Sequence, residues 1–282
     1  MARLTQTAPL YKDPMVTAEW LSEHLDHDDV IAIDATWCMP GIEEPLSGQS
    51  ISGVAFDIDE IADCSSALPH MLPTPEQFQS QVRTLGINQN SHIICYDRHG
   101  MFSAPRAWWM LRAMGHENVQ VLDGGLPAWI SLGLSVKSTC AKPVCGNFRA
   151  KLTNDLVRNN DDVKEALCAD QVLDARPSGR FDGTAPEPRA GLSSGHMPGA
   201  SNIPFGNLFN NGFLRTKPEL ALVFKDAGID LETPIISTCG SGITACGIAL
   251  ALARLGVWDT PVYDGSWVEW ASTPDCPIEK AG

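Results

Sequence analysis

The chain has 282 residues, 44% of them hydrophobic and 19% charged, proportions of an ordinary soluble globular protein with a length that suits two domains or one large one. Twenty basic against thirty-four acidic residues leave a net charge of −14, which argues against nucleic-acid or anionic-membrane binding, because both need a basic face. The longest mostly apolar run, Ile243 to Ala253, falls short of the ~20 residues of a membrane span, and Met1 to Asp13 lacks the basic start and apolar core of a secretory signal.

In chain order, Thr74 with Pro75 and Gln77 writes a helix start with capping-box spacing, and the apolar residues that follow recur at three- and four-residue steps as far as Gly86. Ile93–Tyr96 is a short apolar run between polar turns, the pattern of a buried parallel strand. Ser138 to Arg149 has no period and reads as a connection. A second helix opens at Thr216 with Glu219 and ends at Gly228, and a second buried strand covers Pro234–Thr238. These signals repeat. At a constant offset of 142, Thr74–Asp97 overlays Thr216–Cys239, with Gly86-Ile87-Asn88 on Gly228-Ile229-Asp230. Val30–Asp34 likewise resembles Gln171–Asp174, and Asp123-Gly124 and Trp129 match Asp264-Gly265 and Trp270 at an offset of 141. A duplicated strand–helix alternation implies an α/β protein of two tandem domains, each an open, mostly parallel sheet with helices on both faces. The expected division is 1–137, a linker over 138–152, and 153–282.

In such sheets ligands bind beyond the carboxyl ends of the strands. That junction in the second half reads Ser237-Thr238-Cys239-Gly240-Ser241-Gly242-Ile243-Thr244-Ala245. A strand-end cysteine, two glycines that let the backbone curl and a following helix make an anion cradle that should favour the thiolate. The alternative, a buried cysteine beside a tight turn, leaves the two glycines without a purpose. Phosphatase chemistry needs an arginine six residues after the nucleophile, where Ala245 stands. Sulfur transfer through a cysteine persulfide remains. The nine cysteines are an odd number with no two of them three apart, so neither a zinc ribbon nor a redox pair is written, and free thiols fit the cytosol.

The Cys239–Ala245 loop, the Ser194-Gly-His-Met-Pro-Gly-Ala200 segment and the Tyr263-Asp-Gly-Ser-Trp267 stretch together resemble the rhodanese superfamily over roughly Thr17 to Pro277. More narrowly, they resemble its 3-mercaptopyruvate sulfurtransferase branch. The thiosulfate branch carries basic residues after the cysteine, whereas Gly240 and Ser241 are neutral. The resemblance implies that Cys239 is the nucleophile and that the Gly240, Gly242, Ile243 and Thr244 part of the loop holds the persulfide. It implies that Arg180 and Arg189, in Ser178-Gly-Arg180-Phe-Asp-Gly-Thr-Ala-Pro-Glu-Pro-Arg189, take the substrate carboxylate and keto oxygen. It also implies that Asp59 and His70 reach over from the first half to join Ser241 in a proton relay; by itself, His70 between Pro69 and Pro73 reads as a surface-loop histidine. The residue aligned with Cys239 in the first half is Asp97, which cannot accept sulfur, so that copy is expected to be silent. His196, Arg176, Trp267 and Trp270 are read as structural. The implied partners are 3-mercaptopyruvate and an acceptor thiol such as thioredoxin, or cyanide in an assay, with no metal or organic cofactor. A thiosulfate sulfurtransferase and a non-enzymatic persulfide relay are the competing readings.

Overall fold

The computed structural model describes residues 10–39, 41–137, 143–167 and 169–281. The first half contains β1 (Met15–Val16), α1 (Ala18–His24), β2 (Val30–Asp34), α2 (Pro75–Thr84), β3 (His92–Tyr96), α3 (Ala104–Ala113), β4 (Val119–Leu122) and α4 (Gly125–Ser131). Its four strands are parallel, in the order β1-β4-β3-β2. The central strand β3 is buried along its whole length, which explains its unbroken apolar run. Alternate residues point to opposite faces: Ile93 and Cys95 pack with Phe78 and Val82 of α2, and Ile94 and Tyr96 with Leu21 of α1 and Trp129 of α4. Helices therefore cover both faces.

The second half repeats the plan with β5 (Val157–Arg158), α5 (Asn160–Ala166), β6 (Gln171–Asp174), the single turn α6 (Ser178–Phe181), β7 (Ser201–Asn202), the hairpin β8 (Phe209–Asn210) and β9 (Phe213–Leu214), α7 (Lys217–Asp226), β10 (Ile235–Thr238), α8 (Ala245–Arg254), β11 (Val262–Tyr263) and α9 (Ser266–Ser272). The main sheet is again parallel, in the order β5-β11-β10-β6-β7. Ile235 faces Leu220 and Phe224 of α7, while Ile236 faces Val163 of α5 and Trp267 and Trp270 of α9.

The elements expected from sequence form for the expected reasons. Thr74 and Thr216 each complete a capping box, with Gln77 and Glu219, and Gly86 and Gly228 follow their helices with φ of 80° and 74°. Thr153 and the expected linker residues from Pro143 onward are laid along the first half by Gly146 N–H to Arg83 O at 2.8 Å, Phe148 N–H to Ile87 O at 3.2 Å and Thr153 N–H to Ala113 O at 2.7 Å. A Cβ on Gly146 would stand 2.0 Å from the Ile87 carbonyl oxygen, so only glycine fits there. The rest of the linker, Ser138 to Lys142, lies outside the described residues.

The two halves meet through α3 and α8, whose buried residues belong to one apolar cluster. Nine of the ten residues of α3 are buried, among them Trp108 and Trp109, because this helix lies between its own sheet and the other half. Truncating either tryptophan to alanine would cost about 3–5 kcal/mol. Since α3 and α8 each begin just after a strand-end loop, their packing sets the loops that follow β3 and β10 against the interface. Among the described residues no helix is long and apolar enough to cross a membrane.

Candidate active site

Strand β10 ends at Thr238 and α8 starts at Ala245, so Cys239 begins the turn between them. Its side chain is buried, and the start of α9 clamps its backbone: Trp267 N–H donates to Cys239 O at 2.9 Å and Val268 N–H to Gly240 O at 3.0 Å. Cys239 N–H donates to Ser266 Oγ at 3.3 Å, and that hydroxyl donates on to Tyr263 O at 2.8 Å. From Gly240 to Ala245 no backbone N–H makes a hydrogen bond to a described residue. Six successive donors left unspent beside a buried sulfur suit an anion. Gly242 closes the curl at φ 83°, and a Cβ there would lie 2.9 Å from Asp264 O and 3.0 Å from Arg106 Nη1.

The matching loop of the first half has filled its cradle. Asp97 is completely buried, and its carboxylate accepts His99 N–H at 2.9 Å and the N–H groups of Ser103 and Ala104, each at 2.8 Å. Burial raises the pKa of this carboxyl, while the amides of Ala104 and Ser103 pull it the other way. Arg98, beside it, is committed to Asp34 at 2.9 Å and to Glu44 at 2.5 Å.

The expected carboxylate clamp sits against the cysteine loop. Arg180 Nη2 would be 3.0 Å from a Cβ on Gly240, so Gly240 gives the guanidinium its room. Glu187, which sequence reasoning passed over, is buried and divides its carboxylate: one oxygen takes Arg180, through Nε at 3.0 Å and through Nη2, and the other takes Arg176 Nη1 at 2.8 Å. Arg176 also binds Asp174 and the Gly195 carbonyl and lies 4.0 Å over the Trp267 ring, which makes it a strut. Arg189 differs from both. Half-buried, it makes no hydrogen bond or ion pair with a described residue. Burial lowers its pKa, as does Arg180, while Cys239, Glu187 and Asp59 oppose them. Those four neighbours place an unspent cation among the sulfur, the clamp and the first half.

His70 is buried rather than exposed, as its proline-rich surroundings alone suggest, with 5% of its side chain accessible. Asp59, 61% accessible, brings Oδ1 to 2.9 Å from His70 Nδ1, an ion-pair distance. Nε2 has no partner among the described residues. Burial, above all, pushes the imidazole down to about 4 against the pull of Asp59, with Arg106 and Arg189 adding to the drop, so His70 is neutral at pH 7. The Trp37 indole donates to both Asp59 oxygens at 3.0–3.1 Å and meets the His70 ring edge-on at 5.0 Å. Ser241 is buried in the loop, and its hydroxyl bonds to no described residue, so no direct hydrogen bond joins it to His70.

His196 stacks on Phe181 at 4.1 Å and bonds its carbonyl through Nδ1 at 3.0 Å, and Trp267 and Trp270 are core residues of α9. Among the described residues no three His, Cys, Asp or Glu side chains converge as a metal site. A concavity of about 490 Å³ between the halves is lined by Tyr11, Arg112, Ile235 and Trp258. Ile235 begins β10, so this hollow lies at the opposite end of the strand from Cys239 and plays no part in the arrangement.

The Rhodanese-like domain matches the chain twice, over residues 17–132 and 157–273. The chain is 43% identical over 272 residues to the 3-mercaptopyruvate sulfurtransferase of Escherichia coli (strain K12), covering 94% of this chain and 97% of that one. It is 41% identical over 299 residues to thiosulfate/3-mercaptopyruvate sulfurtransferase 1, mitochondrial, of Arabidopsis thaliana, covering 95% and 78%. Among solved structures it superposes on SseA, a 3-mercaptopyruvate sulfotransferase from Escherichia coli with the rhodanese fold, with a TM-score of 0.82 at 41% identity, over 90% of this chain and 99% of that one.

Proposed function

The chain belongs to the rhodanese family, and from that premise we propose that it is a sulfurtransferase that takes sulfur from 3-mercaptopyruvate and releases pyruvate. One observation carries the reading: the run of amides from Gly240 to Ala245, directly after the buried Cys239, that make no hydrogen bond to a described residue. The Cys239 thiolate attacks the mercapto sulfur, the carbon–sulfur bond breaks, and its electron pair passes to the enolate of pyruvate. The mercapto proton moves to the enolate carbon, which leaves Cys239 as a persulfide anion in the cradle. Neutral His70, with its unpartnered Nε2, accepts and returns that proton, Asp59 orients it, and the free Ser241 hydroxyl links it to the loop. Arg189 meets the substrate carboxylate, and Arg180, held by Glu187, meets the keto oxygen. An acceptor thiolate then attacks the outer sulfur and restores the Cys239 thiolate.

In this reading the first half is the silent partner (1–137), joined through 138–152 to the catalytic half (153–282). The covalent persulfide needs no metal or organic cofactor. The seven described cysteines form no disulfide, which supports a reducing, cytoplasmic setting and a dithiol acceptor such as thioredoxin. The neutral Gly240-Ser241 pair supports a donor with one carboxylate over the thiosulfate dianion.

Mass spectrometry after incubation with 3-mercaptopyruvate tests the reading. The wild type should gain one sulfur atom and release pyruvate, and Cys239→Ser should do neither. Loading of the wild type without pyruvate release would make the protein a relay. A higher kcat/KM with thiosulfate would reassign the donor.

A further inference from the structure

The buried side of the cysteine loop holds a cation that the reaction above does not use. Arg106 belongs to α3 of the silent half and is completely buried, its guanidinium 4.6 Å from the centroid of the Trp109 ring. That guanidinium reaches three separate segments. Nη1 donates to Asp264 Oδ1 at 2.7 Å and, at 3.4 Å, to the carbonyl of Gly242 in the cysteine loop. Nη2 donates to the carbonyl of His70. The other Asp264 oxygen accepts Leu72 N–H at 2.6 Å, so the Arg106–Asp264 pair grips the backbone on both sides of Met71. His70 itself has φ 61°, a left-handed conformation that a residue with a side chain rarely adopts, and these two bonds hold the segment in it.

A buried ion pair is a poor device for stability, because apolar residues of similar volume often do as well or better, so its presence calls for another role. We infer that Arg106 is a positioning residue: through the backbone of His70 and of Gly242 it fixes the proton-handling imidazole of one half against the sulfur cradle of the other. This inference rests on the proton role given to His70 above. It gives the half without a nucleophile a part in the chemistry of the half that has one. A planar guanidinium with donors along separate edges can span Asp264, Gly242 and His70 at once; an ammonium on a flexible stem cannot hold the same three in a fixed geometry.

Full-length Arg106→Met and Arg106→Lys test it, each read by steady-state kinetics across pH and by histidine NMR titration of the resting protein. The charged groups facing His70 are Asp59, Arg106 and Arg189. Removing the Arg106 charge leaves Asp59 opposed by Arg189 alone, so His70 should titrate at higher pH and the acid limb of kcat should move up with it. Arg106→Met should lower kcat by about 10–100-fold, the scale of an ångström-sized misplacement, with KM within about threefold because Arg180 and Arg189 are untouched. Arg106→Lys should titrate as the wild type does and recover part of kcat. The NMR titration needs no donor, so it reads the effect of Arg106 on His70 even if mercaptopyruvate proves to be the wrong substrate. An unmoved His70 titration in Arg106→Met, or a loss confined to KM, overturns the inference. Should Arg106→Met fail to fold, Arg106→Lys decides alone: a lowered kcat with an unmoved titration supports it, and wild-type kcat overturns it.

Discussion

The loops after β3 and β10 are two copies of one device in opposite states. In the first, Asp97 turns its own carboxylate back onto the amides of His99, Ser103 and Ala104, and Arg98 is neutralised by Asp34 and Glu44. In the second, the aligned residue is a cysteine, the amides from Gly240 to Ala245 make no hydrogen bond to a described residue, and Arg189 forms no ion pair with one. The first loop shows what the backbone curl holds when a carboxylate is supplied from within it. The other loop is the same curl with its donors held open. The difference between the two loops lies in whether the donors are filled and not in the fold that carries them.

The largest effect should come from making one loop into the other. Cys239→Asp should abolish pyruvate release and sulfur loading, while its carboxylate occupies the amides of Ser241 and Ala245; a folded variant that still loads sulfur would break the comparison. Next, Arg189→Met removes a half-buried cation that makes no ion pair with a described residue. It should lower kcat/KM for mercaptopyruvate by about 10–100-fold, the worth of a charge-assisted hydrogen bond in a half-buried site, mostly through KM. The smallest effect should follow Asp97→Asn, which turns an amide N–H toward backbone donors in the silent loop. That should cost about 1–3 kcal/mol of stability in denaturant titrations and leave kcat within about twofold, since no atom of that loop is expected to touch substrate.

The duplication made much of this legible. Aligning Thr74–Asp97 with Thr216–Cys239 is enough to set Asp97 opposite the cysteine and to expect two sheets, because buried strands and capped helices leave local signatures. Arg106 was not legible. Its partners lie 36, 136 and 158 residues away, and an arginine inside an apolar helix carries no local sign of what lies across the interface. Glu187 escaped for a related reason: a single acid between two prolines has no period, and only the folded loop shows it dividing itself between Arg176 and Arg180. His70 was legible only through the family resemblance, since flanking prolines by themselves suggest a solvent-facing turn, whereas Trp37, Asp59 and Arg106, all distant in sequence, gather around it in the fold.

Ser266 marks a torsional compromise that both copies of the unit share. In the first half the equivalent position is Gly125, with φ 55°; in the second it is a serine held at φ 50°, a conformation that costs a side-chain-bearing residue about 1–2 kcal/mol. The hydroxyl that justifies this expense is the one receiving Cys239 N–H. One copy meets that torsion with a glycine and without that cost, and the other meets it with a serine and gains a hydroxyl beneath Cys239.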